Sequence, residues 1–239
     1  MRFEEMNRAT IGQVAPYCDT VVFSCGSLRV TPAHLPFGSS WYVVRRLRDG
    51  LETALGGRIL TMPTLMLADP VQEDVVFCVD ATGLAGSFLS ALTALSTMIQ
   101  VRHIVLIADR EDAPRALNSA VKAWTKGRDG TQEELTDPKS HVSHLQEGTS
   151  GATSKDPSVI EFVWWRDGLG RETTYVPGGE IESSILLSVA DRLIDLSAPD
   201  AASYEATNAS AAHGEILLRR MDGELRSRMT SAWSAVHPS

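Results

Sequence analysis

The chain has 239 residues, 43% of them apolar and 22% charged, enough to bury a full core as one domain. Its net charge of −8, with no block of Lys or Arg, excludes a nucleic-acid partner held by a positive face. Three widely spaced cysteines, Cys18, Cys25 and Cys78, fit reduced thiols, and Met1 to Glu5 opens with charge and lacks an apolar signal core, so a cytoplasmic protein is expected. The longest apolar stretch, Ala81 to Ile99, is interrupted by Gly83, Gly86 and several hydroxyl residues, which suits a core helix and no membrane span.

In chain order, Thr20 to Ser24 reads as a short buried strand broken by Cys25-Gly26-Ser27. Trp41 to Leu55 spaces Val43, Val44, Leu47, Leu51 and Leu55 as one face of a helix, which Gly56-Gly57 ends. Arg58 to Met62 is a second strand ended by Pro63, and Asp74 to Val79 a third. A helix over Leu84 to Met98 leads to the apolar strand Arg102 to Ala108, the sequence of a right-handed parallel crossover. Ala113 to Trp124 is the next helix. Residues 126–157 are polar and aperiodic, so a long surface loop is expected there. His141 and His144 in that loop have no partner carboxylate or Cys at ligand spacing and read as solvated. Val159 to Trp165 is a strand carrying paired tryptophans, Arg166 to Arg171 a charged turn, Glu180 to Leu196 a helix, and Ala206 to Met229 a final helical region.

Three stretches carry a resemblance. Gly26, Ser27, His34, Leu35, Pro36 and Gly38 are in register with the first motif of the creatininase (creatinine amidohydrolase) family, Gly-Ser-Thr-Glu-Gln-His-Gly-Pro-His-Leu-Pro with an aspartate four residues on. Ala108 to Ala113 stands at the second motif, Asn-Gly-His-Gly-Gly-Asn, and Pro177 to Ser184 at the third, His-Ala-Gly-x-x-Glu-Thr-Ser. The resemblance implies one α/β domain over residues 1–239, with a largely parallel sheet, helices on both faces and an oligomeric assembly. It also implies a two-metal site, whose Glu, first His and Asp in the first motif fall here on Arg29, Thr31 and Ser40. The metal-binding His of the second motif falls on Arg110 and the active-site His of the third on Pro177, while Asp112 and Glu182 stand at acidic site positions.

Hydroxyls are poor ligands for these cations and a guanidinium is a permanent cation, so no Mn or Zn cofactor is expected and no catalytic residue is assigned beyond the candidates Glu182 and Asp112. In that geometry Arg29 and Arg110 would face Asp112 and Glu182 as fixed charges in place of the metals. Arg29, Arg110, His34 and Glu180 are the candidate ligand-binding residues. Ser27 has no identifiable base and reads as a turn residue, while Cys25, His34 and His103 read as structural. The expected function is a non-catalytic binding or structural subunit, in a homo-oligomer or a mixed oligomer with an active homologue. The alternative is a metal-independent enzyme acting on a small carboxylate or phosphate through Arg29 and Arg110.

Overall fold

A computed structural model describes residues 1–68, 81–134, 156–170 and 173–236. The chain starts with a short helix α1 (Arg8–Val14), capped by the Asn7 side chain on Ala9 and Thr10 N–H. Strand β1 (Thr20–Leu28) then runs through the middle of a five-stranded parallel sheet. Along one edge of β1 lie β2 (Ile59–Thr61) and then β3 (Leu65–Ala68), and along the other lie β4 (His103–Ala108) and β5 (Ser158–Val163).

β1 is longer than its apolar run announces. Cys25-Gly26-Ser27, read above as a break, continues the strand, because Cys25 to Leu28 pair with Leu65 to Ala68 of β3. Gly26 serves a close approach: a Cβ there would lie 2.5 Å from the Trp41 Cα on the helix that crosses it. Between β2 and β3 stands Pro63, which has no N–H for the ladder, so the chain leaves β1 for three residues and rejoins it. The strand expected over residues 74–79 lies outside the described residues.

Both faces of the sheet are covered, which is why β1 and β4 read as unbroken apolar runs. On one face α3 (Ala81–Ser96) and α4 (Asp112–Glu134) pack Leu84, Phe88, Leu92, Leu117 and Trp124 against Val21, Phe23, Ile104 and Leu106. On the other, α2 (Ser39–Leu55), α5 (Glu180–Ala190) and α6 (Ala211–Val236) pack Val43, Leu47, Ile185, Met221 and Leu225 against Val22, Val105, Ile107 and Phe162. α4 continues to Glu134, so the polar segment expected to be loop from residue 126 starts helical; 135–155 lie outside the described residues. After β5 the chain coils into one π-helical turn, Trp164–Gly168, so the paired tryptophans sit on that turn and not on the strand. No helix among the described residues is long and apolar enough to cross a membrane.

The first crossover leaves β1 toward β2 over one face, and the later one reaches β4 over the opposite face, which makes the β1/β4 boundary a switch point. A crevice opens at the carboxyl ends of strands arranged this way, and the rewritten motifs end there.

Candidate functional site

Four segments converge on the carboxyl ends of β1 and β4. β1 delivers Ser27 and, just past its end, Arg29; the start of α2 brings Ser39 and Ser40; Asp109 and Arg110 follow the last residue of β4; and the turn before α5 brings Tyr175 and Gly178, with Glu182 on α5 itself. At their centre is Glu182, fully buried on the first turn of α5, where the helix N-terminus favours negative charge.

The Glu182 carboxylate is satisfied on both oxygens. Arg29 donates from one Nη2 to Oε1 at 2.7 Å and to Oε2 at 2.5 Å, and the Ser39 hydroxyl donates to Oε1. Tyr175 donates its phenol to Oε2 at 3.0 Å, and the Gly178 N–H reaches the same oxygen at 2.8 Å. Gly178 holds φ at +79°, a conformation that a residue with a side chain resists, and it is also the carbonyl that His34 Nε2 approaches at 2.9 Å. Burial opposes the Arg29 charge, but Glu182 and Tyr175 outweigh it and push the guanidinium pKa up. Burial, and then Glu182, push the Tyr175 phenol well above its ordinary value. An ion pair this enclosed gains Coulomb energy that exposed pairs lose to water, provided its remaining lone pairs are used, as they are here.

A second carboxylate, Asp109, is buried beside the first. Its Oδ2 accepts the Ser27 N–H at 3.0 Å, and its backbone carbonyl accepts from Trp165 Nε1 at 2.7 Å. Burial raises its pKa, against the Ser27 N–H, the Arg29 charge and the neighbouring Ser27 and Ser40 hydroxyls. Those hydroxyls flank the carboxylate without a directed hydrogen bond to it, and Oδ1 has no hydrogen-bond partner among the described residues. Trp165 stacks on Tyr175 with ring planes 16° apart and Trp164 meets it edge-on, so one aromatic wall carries the phenol that holds Glu182.

The remaining candidates divide between this cluster and its border. Arg110 and Asp112 pair with each other at the start of α4, Nε to Oδ1 at 2.9 Å and Nη2 to Oδ2, both partly exposed. The two arginines thus form two separate pairs, Arg29 with Glu182 and Arg110 with Asp112. His34 is buried under the turn, with Ser183 Oγ 3.3 Å from Nε2 and Asp200 Oδ1 3.5 Å from Nδ1. Thr31 closes its own turn on the Leu35 carbonyl at 2.8 Å. Glu180 points elsewhere, to His213 at 3.1 Å. Cys25 lies in the core, where burial pushes its thiol well up, and His103 bonds Ser158 at the other end of β4. His141 and His144 lie outside the described residues. Ser39, Asp109 and Tyr175 are not singled out from the sequence, where Ser39 next to the aligned Ser40 and Asp109 next to the aligned Arg110 are the available signals; Trp165, read with Trp164 as strand core, packs on Tyr175 in the wall of the site.

Among the described residues no three His, Cys, Asp or Glu side chains form a metal-holding group. The Arg29 guanidinium covers the Glu182 carboxylate, and Ser40 and Thr31 offer neutral hydroxyls, which are poor ligands for divalent ions. Among the described residues, the donors of this cluster do not fit a pair of divalent ions.

No protein-family profile matches the sequence, and no curated protein matches it. Solved structures do. One described as creatinine amidohydrolase (creatininase) superposes at TM-score 0.71 and 15% identity over 100% of this chain and 98% of its own. One described as "Creatininase Mn" gives 0.70 and 16% over 100% and 99%. A putative creatinine amidohydrolase from Bacteroides fragilis gives 0.62 and 12% over 94% and 93%. From end to end, the chain has the creatininase fold.

Proposed function

We propose that this chain is a creatininase-fold protein in which internal ion pairing replaces the two-metal centre, and that it serves as a non-catalytic binding or structural subunit of an oligomer. The observation that carries this reading is the saturation of Glu182. The carboxylate at the family's site position spends its acceptors on Arg29, Ser39, Tyr175 and Gly178, and none is left for a metal or a nucleophilic water. A subunit role is supported by the apolar side chains left exposed next to that cluster. Val30 and Phe37 adjoin Arg29 in the β1 loop, and Val176 and Tyr204 flank the Gly178 turn. A homo-oligomer and a mixed oligomer with an active homologue both fit such a surface. The alternative, an enzyme that grips a small anion through Arg29 and Arg110, asks for two guanidiniums that each already face a carboxylate.

The test is metal content and turnover. After incubation with Mn and Zn and removal of excess ion, the purified protein is expected to retain no stoichiometric metal by mass spectrometry and to leave creatinine unhydrolysed. Two ions bound per chain, or creatinine turnover, would overturn the reading.

A further inference from the structure

Away from this cluster, α2 and α6 border an open cleft of about 630 Å³ lined by Arg46, Asp49, Gly50, Thr53, Arg219, Asp222 and Arg226. Gly50 lies eleven residues along α2 from Ser39, roughly 16 Å down the helix axis, so the two sites are distinct. The volume is in the range of small-molecule sites.

The charges in the cavity are incompletely used. Arg226 donates Nε to the Asp222 carbonyl at 3.2 Å, and its two Nη groups make no hydrogen bond or ion pair among the described residues. Arg46 makes one long contact, Nη2 to Asp222 Oδ2 at 3.4 Å. Among the described residues Arg219 meets only Glu215, at 3.7 Å, and it is largely exposed. Asp222 Oδ1 is buried with no hydrogen-bond partner among the described residues. Gly50 leaves room for this arrangement: a Cβ there would lie 2.5 Å from Arg46 Nη1 and 2.8 Å from Asp222 Oδ1, so a larger residue would push the Arg46 guanidinium aside. A smaller cavity continues past Arg46 and Arg219 toward Ser188 and Leu218.

We propose that this α2–α6 cavity binds a small phosphate monoester that also carries hydroxyl groups, the chemistry of a sugar phosphate. Of the two carboxylates in the lining Asp49 is already held by Arg48, at 2.8 and 3.0 Å, so three guanidinium forks face the one carboxylate of Asp222, whereas a phosphate presents three oxygens and close to two charges to them. The Thr53 hydroxyl then supplies a partner for the ligand's hydroxyls. A polyanion is disfavoured because the chain as a whole carries −8, and that repulsion grows with the length of the ligand.

Isothermal titration of the full chain with ribose 5-phosphate, inorganic phosphate and ribose tests this. Ribose 5-phosphate is expected to bind saturably, more tightly than phosphate, with ribose the weakest. Arg226→Gln, which removes only a surface contact to backbone, is expected to weaken ribose 5-phosphate by about tenfold or more, the worth of one charge-assisted hydrogen bond. Gly50→Leu is expected to abolish binding by filling the cavity floor, with folding checked by circular dichroism. Absence of saturable binding into the millimolar range, ribose binding as tightly as its phosphate, or an unchanged affinity in Arg226→Gln would each overturn the proposal.

Discussion

At the scale of the residue, Arg29 and Arg110 each pair with a carboxylate, yet the burial of that carboxylate separates them. Arg29→Ala leaves a fully buried Glu182 facing only neutral donors, and breaking a buried pair in this way costs about 3–5 kcal/mol. Arg110→Ala removes a partly exposed pair between close neighbours and is expected to cost about 1 kcal/mol or less. Urea midpoints of the two variants compare them directly. Arg29→Met combined with Glu182→Gln should regain part of the loss, and equal midpoints for the two single variants would show that the Glu182 cluster does not hold the site together. Asp109 yields a prediction in pH. Its folded pKa lies above the unfolded value, so the stability it contributes is complete below about pH 4 and is lost as pH rises through the folded pKa. Asp109→Asn keeps an acceptor for the Ser27 N–H and removes that loss. The stability of the variant relative to the parent should therefore climb from acid to neutral pH, and a flat difference would contradict a raised Asp109.

At the scale of the element, the apolar periodicities placed the centres of β1, α2, α3, β4, β5 and α5, and the ends moved wherever a partner outside the element decided them. β1 gained four residues because β3 pairs with them, and β3 is a four-residue strand with no periodicity of its own to announce it. α4 ran ten residues past Trp124 although its sequence turns polar there, since a helix with one buried face tolerates polar residues on the rest. The junction of β1 with α2 rests on Gly26. A Cβ at 2.5 Å from the Trp41 Cα meets backbone, which cannot rotate aside, so Gly26→Ala is expected to lose about 1–3 kcal/mol or more. Thermal melting of that variant measures it; a melting temperature equal to the parent's would mean that α2 can move off the strand without cost.

At the scale of the whole molecule, the exposed apolar group beside the site and the net charge of −8 act against each other. Burying Val30, Phe37, Val176 and Tyr204 favours assembly, while like charge between copies opposes it until salt screens the repulsion. Native mass spectrometry and light scattering are expected to find an assembly of this chain, alone or with a homologue, that strengthens with moderate salt. Phe37→Asp should weaken it, and a strict monomer under all conditions would remove the oligomeric part of the reading. The sequence by itself determined the α/β class and the parallel crossovers, because alternation of apolar residues and short runs of Gly and Pro are written locally. Tertiary structure alone decided which groups meet. Arg29 reaches Glu182 across 153 residues, Tyr175 and Ser39 close on the same carboxylate, and Asp109 rises next to Ser40. Those contacts follow from the order of strands in the sheet and the faces on which the helices pack, and side-chain burial, which sets the strength of each charge pair, does not exist until that packing is complete.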